Sequence, residues 1–363
     1  MSHTLSEDAG QCLVVGFQGT ESVPDALSTA LRTSTVGGAI LFSRNITGDW
    51  GQLAALNAAL DNCRPADGTP VFIAVDQEGG RVRRVKGEGV TAIPAMLRVG
   101  ETGDRELAAK VGELIATELA ALGFNLNFAP VLDIWTNPDN QVIGDRAFGR
   151  EPNVVADMAG ALTVGHYVAG VCPCGKHFPG HGDTTADSHY ELPVLPHGPE
   201  ALARRELIPF QRAIAGGIPM IMTAHILLPA IDAVHPITLS RTGLTGLLRE
   251  QLGFQGVIVS DDLEMKAVAD RYEIEEIVEL GLAAGVDVFL ICHTEELWKR
   301  AHAALVRLGQ SEPWARDAIR AAAARVRTLK SRYLPSAVYE VGDLASELGT
   351  PAHAALVREL LAG

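Results

Sequence analysis

Eight short apolar runs, separated by longer amphipathic stretches, constrain the fold more than any other feature of the 363-residue sequence. Several runs are apolar at every position, which is typical of parallel strands buried on both faces. The runs are residues 12–17, 39–42, 71–75, 124–128, 171–174, 220–222, 257–259 and 286–291. Because helical patterns lie between them, the alternation predicts an α/β fold, a (β/α)8 TIM-type barrel.

The helical patterns set the expected domain organisation. One runs from Arg105 to Leu122 and stops at Gly123, a normal C-terminal signal. The others cover about 51–62, 153–169, 200–215, 243–252, 273–284 and 295–308. We expect one domain over residues 1–363, with the barrel over about 12–310. Two alanine-rich helices, over about 313–333 and 344–362, should pack on its outside.

A doubly wound open sheet is the alternative fold, because residues 18–38 show only a short helical pattern. However, no GxGxxG motif follows any apolar run, which removes the usual nucleotide signature of that fold. The hydrophobic fraction of 47% is enough to bury a large core.

Composition excludes several classes of partner. A formal net charge of −14 and the lack of a basic stripe argue against nucleic acid. The N-terminus resembles no signal peptide, and no apolar run approaches a membrane span.

Five scattered cysteines do not form a disulfide framework, and Cys172 and Cys174 are expected to be buried in a strand. Free thiols predict a reducing compartment, so we expect a cytoplasmic location.

Polar side chains collect directly after the predicted strands. They are Asp76 to Arg81 after the third, Asp133 and Gly144 to Arg146 after the fourth, Lys176 to Gly182 and Asp187 to His189 after the fifth, His225 after the sixth, and Ser260 to Asp262 after the seventh. In barrel enzymes these strand ends meet at one face and carry the active site. Their shared position indicates a function more strongly than any single motif does.

Each group also has a structural interpretation. Asp262 fits a helix N-cap, although this does not explain Asp261. A lone Arg146 is usually half of a structural ion pair. The histidines and aspartates from His177 to His189 suggest a metal site, but HExxH and CxxC spacings are missing. We therefore expect no metal and no cofactor. Phe148 and Phe178 lie in suitable loops for stacking on a sugar, yet both also fit the core.

Three of these segments together resemble glycoside hydrolase family 3, specifically its bacterial β-N-acetylglucosaminidases. They are residues 75–82 (VDQEGGRV), residues 176–182 with 187–189 (KHFPGHG and DSH), and residues 260–263 (SDDL). Residues 38–45 and 127–133 support the similarity, which extends over about 12–300. The resemblance implies a barrel that releases terminal N-acetyl-β-D-glucosaminyl groups with retention of configuration, in the context of cell-wall muropeptide recycling.

The resemblance also implies residue roles. Asp261 corresponds to the nucleophile, and His189, oriented by Asp187, corresponds to the acid/base. The sugar hydroxyls and the N-acetyl region would be held by Asp76, Arg146, Lys176 and His177, and we add His225 as a further substrate-binding residue. The implied substrate is a small N-acetyl-β-glucosaminide, and muropeptides are one candidate class.

The chemistry is coherent without the family name. A retaining glycosidase needs a carboxylate on one side of the anomeric carbon and a proton donor at the leaving oxygen. A histidine suits the second role because its ordinary pKa lies near neutrality, and an adjacent carboxylate stabilises its imidazolium. Three alternatives stay open: a phosphorylase on the same scaffold, a non-catalytic sugar-binding barrel, and a metal-dependent hydrolase.

Overall fold

The computed structural model describes residues 3–185, 187–188 and 191–362. Eight parallel strands pair in chain order and close into a barrel. Numbered β1 to β8, they are Leu13–Gly16, Gly38–Leu41, Phe72–Val75, Leu126–Asn127, Cys172–Phe178, Met220–Thr223, Val257–Asp262 and Val288–Ile291. Strand β1 pairs with both β2 and β8, so the ring is closed. The predicted TIM-type barrel is confirmed, and the open-sheet alternative is wrong.

Helices follow the strands and surround the barrel. In the described part of the chain, the α-helices are Leu5–Gln11, Asp25–Arg32, Trp50–Asp61, Met96–Thr102, Arg105–Ala121, Pro152–Val168, Pro199–Arg204, Leu207–Ala215, Lys266–Ala269, Ile274–Ala284, Glu295–Ser311, Pro313–Tyr333, Leu344–Glu347 and Pro351–Ala362. A π-helix covers Thr242–Gln251, and a hairpin of Gln77–Gly79 and Val82–Arg83 follows β3. The poorly patterned region after β1 does contain a helix, Asp25–Arg32.

Two predicted helices are interrupted. The continuous helix expected over 200–215 ends at Arg204 and resumes at Leu207. Pro209 explains the break, because its ring would collide with the carbonyl four residues earlier, at Arg205. The helix expected over 344–362 is likewise two helices, since Gly349 has φ +54° and Pro351 starts the second one.

The barrel interior is filled by alternate side chains of its strands. Val14 points inward, whereas Leu13 and Val15 pack against the surrounding helices. Cys172 and Cys174 belong to the interior cluster, as predicted, and all five cysteines are buried free thiols. Among the described residues, no helix combines the length and the apolar character needed to cross a bilayer.

Helix Pro313–Tyr333 does more than pack on the outside of the barrel. Its Val326 and Leu329 join the interior cluster and cover the barrel end at which the strands begin. Lys330 lies at this end and is 1% exposed. Its Nζ donates to Gln11 Oε1 and to the Gly37 carbonyl, both at 2.7 Å, and lies 4.6 Å from the centre of the Phe72 ring.

Candidate active site

A cavity of about 320 Å³ opens at the other end of the barrel, where the strands finish. The sequence predicted this end as the site, and five of its proposed residues line the cavity. They are Asp76, Arg146, Lys176, His177 and Asp261. The volume lies at the lower end of the range for small-molecule pockets, a size that suits one sugar ring.

Lys176, on β5, is the buried cation at the base of this cavity. Its Nζ lies 2.8 Å from Asp76 Oδ1 and 2.6 Å from Glu78 Oε1. Burial by itself would lower the pKa of Lys176, but the two carboxylates outweigh it and raise that pKa. The ammonium group is therefore fixed as a charged donor beside two acceptors.

Arg146 and Glu78 form a bidentate ion pair on the cavity wall. Arg146 Nε and Nη2 donate to the two carboxylate oxygens of Glu78, both at 2.8 Å. Burial opposes ionisation of Glu78, yet Arg146 and Lys176 hold the pKa of this carboxyl far below its usual range. The guanidinium plane is consequently held in one orientation, as recognition of hydroxyl or amide groups requires.

His177 is oriented by Asp133. Its Nδ1 donates to Asp133 Oδ2 at 2.7 Å, and its Nε2 lies 3.5 Å from Arg146 Nη2. Asp133 also accepts the backbone N–H groups of His177 and His181. Although burial opposes ionisation, His177 keeps the pKa of Asp133 below its ordinary value. Asp133 thus fixes the tautomer of His177 and the backbone of the loop that carries it.

His181 lines the cavity but is poorly suited to donate a proton. Its Nδ1 contacts Thr184 Oγ1 at 2.8 Å and its Nε2 contacts Ser188 Oγ at 3.1 Å. Burial lowers the pKa of His181 to about 4, against the opposing charge of Asp133. The ring is therefore neutral at neutral pH.

Asp261 and Asp262 end β7 in different environments. Asp262 Oδ1 accepts the backbone N–H groups of Glu264 and Cys292, and its Oδ2 lies 3.3 Å from His293 Nε2. Asp261 Oδ1 accepts the N–H of Asp262 at 2.8 Å. Burial opposes ionisation of Asp261, but His177 and His225 lower its pKa, so it is an anion at neutral pH. Asp262 therefore has the structural role, whereas Asp261 has the features of a nucleophile.

The segment after β5 reaches the same cavity. Ser188 lines it, and the Ser188 carbonyl accepts the N–H of Ala267, in the helix Lys266–Ala269 that follows β7. Asp187 is half-buried, and its carbonyl accepts the N–H of Glu191. His189, the predicted acid/base, lies outside the described residues. Its neighbours Asp187 and Ser188 bring the chain to the side of the cavity beside Asp261.

His225 differs from the sequence interpretation. It is fully buried and lies outside the set of described residues that line the cavity. Its Nδ1 contacts Thr238 Oγ1 at 2.8 Å, and its Nε2 contacts the Asp262 carbonyl at 3.0 Å. These contacts hold its ring against the end of β7, and its assignment to substrate binding stays a prediction.

Several residues of the site were missing from the predicted set, among them Glu78, Asp133, Phe42 and Arg84. Glu78 and Asp133 orient Arg146, Lys176 and His177, and their positions after strands were the available signal. Phe42 and Arg84 also line the cavity, with the Arg84 guanidinium 5.5 Å from the centre of the Phe42 ring. Phe42 offers the aromatic surface that Phe148 and Phe178, both buried in the core, do not.

Comparison with known proteins agrees with this geometry. The family model described as glycosyl hydrolase family 3 N terminal domain matches residues 4–329. The chain belongs to glycoside hydrolase family 3. Its fold and enzyme class follow the sequence prediction, and it is a glycosidase.

Similar proteins of this family match most of the chain. A β-hexosaminidase of Bordetella pertussis is 40% identical over 289 residues, covering 78% of this chain and 80% of that protein. A family 3 β-N-acetylglucosaminidase from a Paenibacillus species is 39% identical with a TM-score of 0.92, over 99% of this chain and 68% of that one. NagZ from Neisseria gonorrhoeae, in complex with N-trifluoroacetyl-D-glucosamine, is 31% identical with a TM-score of 0.79, over 97% of both chains.

Proposed function

We propose that this family 3 glycosidase releases terminal N-acetyl-β-D-glucosamine with retention, through a covalent intermediate on Asp261. The observation that carries the proposal is the shared cavity. An ionised Asp261 faces a small space walled by Lys176, Asp76, Arg146 and His177. Such a set of fixed donors and acceptors suits a ligand made of hydroxyl and amide groups.

In the first step, a carboxylate oxygen of Asp261 attacks the anomeric carbon while the bond to the aglycone oxygen breaks. The departing oxygen takes a proton from the imidazolium of His189, which Asp187 stabilises. In the second step, His189 removes a proton from water, the hydroxide attacks the anomeric carbon, and the bond to Asp261 breaks. His181 is neutral and therefore unsuited to donate the proton. This supports the assignment of the donor role to His189.

The substrate class rests on the relatives and on the cavity together. The relatives are β-hexosaminidases, and the NagZ complex contains an N-acetylglucosamine analogue. A cavity of about 320 Å³ accommodates one sugar, which supports an exo-acting enzyme. We further propose muropeptide fragments as the natural glycosides and the cytoplasm as the compartment, which free cysteine thiols favour.

Leaving-group dependence tests the proposal. With His189→Ala, hydrolysis of a poor alkyl aglycone should fall by about 10²–10⁴-fold, because its oxygen needs a proton. Nitrophenyl N-acetyl-β-glucosaminide should be affected far less. Equal losses for both aglycones would contradict acid catalysis by His189. Release of N-acetylglucosamine 1-phosphate at high phosphate would instead identify a phosphorylase.

A further inference from the structure

A second polar cluster lies beside the active-site segment, outside the cavity. Asp183 and His197 stand on either side of residues 187–189, the segment assigned to acid/base catalysis. Glu206, just before helix Leu207–Ala215, faces them. One ligand-type atom from each of the three side chains lies within 4.8 Å of the other two.

The donor atoms converge. His197 Nε2 lies 2.5 Å from Asp183 Oδ2. The other oxygen of Asp183, Oδ1, accepts a hydrogen bond from Thr136 Oγ1 at 2.8 Å, which fixes the carboxylate plane. Such an outer hydrogen bond is the usual way in which proteins orient a metal-binding carboxylate.

Glu206 supplies an independent observation. The residue is only 3% exposed, and its Oε2 is buried without a hydrogen-bond partner among the described residues. A buried carboxylate oxygen left unsatisfied carries the full desolvation cost of that group. Gly180 packs directly against this side chain, because an added Cβ there would lie 3.0 Å from Glu206 Cβ and Cγ.

We propose that Asp183, His197 and Glu206 form a binding site for a divalent cation of the Zn²⁺ type. One imidazole nitrogen and two carboxylate oxygens are ligands that Zn²⁺ accepts, with water as a fourth. The bound ion would satisfy Glu206 Oε2 and join both ends of segment 183–197 to the start of helix Leu207–Ala215. This site is separate from the catalytic cavity and takes no part in the reaction steps above.

Arg205 occupies the cluster in the cation-free form. Its Nη2 lies 2.9 Å from Asp183 Oδ2 and 3.0 Å from His197 Nε2, and its Nε lies 2.5 Å from Glu206 Oε1. The side chain is 36% exposed, so it can turn into solvent at small cost. The ion and the guanidinium compete for the same acceptors, and removing Arg205 should therefore strengthen cation binding.

Calorimetric titration of the metal-free protein with Zn²⁺ tests the site. His197→Gln and Glu206→Gln should each weaken binding by about 100-fold, because each removes a ligand. Arg205→Gln should tighten binding by about tenfold, which corresponds to one lost competing ion pair of 1.4 kcal/mol. Glu200→Gln is the matched exposed control and should leave binding unchanged.

His189→Ala separates this site from any zinc held by the catalytic pair, and the cluster should still bind one equivalent in that variant. Thermal unfolding without metal checks that each variant is folded. Should a ligand variant not fold, Arg205→Gln alone decides, since this half-buried side chain is not a ligand of the proposed site. The proposal is overturned by a wild-type protein that binds no Zn²⁺ outside the catalytic pair, or by unchanged or weaker binding in Arg205→Gln.

Discussion

The two ends of the barrel each bury a lysine, and the comparison separates the region that carries the chemistry from the region that closes the fold. At the cavity, Lys176 contacts the carboxylates of Asp76 and Glu78. At the opposite end, Lys330 donates to the amide oxygen of Gln11 and to the Gly37 carbonyl, and its Nζ lies over the Phe72 ring. Burial is similar at the two positions, at 2% and 1% exposure, but the partners differ.

The difference appears in the titration of the two groups. The carboxylates raise the pKa of Lys176, although burial opposes this. Burial, together with the charge of Arg327, lowers the pKa of Lys330 to about 7. Neutral acceptors satisfy hydrogen bonds but do not compensate for a desolvated charge. Of the two lysines, Lys176 therefore keeps its charge, and it lies at the cavity end of the barrel.

Removing the positive charge of Lys176 at the cavity should have the largest effect on activity. Lys176→Met should lower kcat/KM for an aryl N-acetyl-β-glucosaminide by about 10³-fold, because a charge-assisted hydrogen bond to substrate is lost and Asp76 and Glu78 are left with less compensation. Lys330→Met, the matched change at the other end, should keep activity within about twofold. Comparable losses of kcat/KM in both variants, with both proteins folded, would contradict the proposed difference between the two ends of the barrel.

A smaller effect on rate, with a distinctive pH signature, is expected at the loop beside the cavity. Asp187→Asn removes a negative charge that favours the His189 imidazolium, so the pKa of that histidine should fall. The basic limb of the pH profile should move to lower pH, and kcat should decrease by about 10²-fold. If Asp187 merely holds a turn, KM would rise for all aglycones and the limb would stay in place.

The smallest effect is on stability and comes from Lys330. Its pKa is about 7 in the folded protein and near 10.5 when unfolded. Between these values the unfolded chain binds a proton that the folded chain lacks, so the free energy of unfolding should rise with pH. The slope is at most about 1.4 kcal/mol per pH unit from this group. Denaturant unfolding of wild type and Lys330→Met from pH 6 to 10 should show the slope difference, and parallel curves would contradict it.

Much of the fold could be predicted because its signals are local. All eight strands were visible as short apolar runs, and helix Arg105–Ala121 was expected from its amphipathic pattern and from Gly123 at its end. The interruption near Arg205 depended on one proline acting four residues away. The covering of the barrel end by Lys330 depended on contacts across about 300 residues, with Gln11 and Gly37, which periodicity does not reveal.

The site was predictable where residues directly follow strands, as for Asp76, Lys176 and Asp261. Residues that act through others were harder to assign. Asp133 and Glu78 were visible in the sequence, but their roles depend on which histidine or arginine they contact. His225 was assigned to substrate because it follows β6, and yet its side chain supports the Asp262 backbone. Position at a strand end predicts proximity to the cavity, whereas it does not predict the direction of the side chain.

The central claim is that Asp261 forms the covalent intermediate at the cavity end of the barrel. A 2-acetamido fluorosugar that forms a slowly hydrolysed intermediate tests this directly, because the trapped sugar stays on the nucleophile. Mass spectrometry of the intact protein should show the addition of one sugar. Peptide mapping should then place it on Asp261, and Asp261→Ala should show no label. A label on Asp262, or turnover of the reagent without any covalent species, would contradict the account.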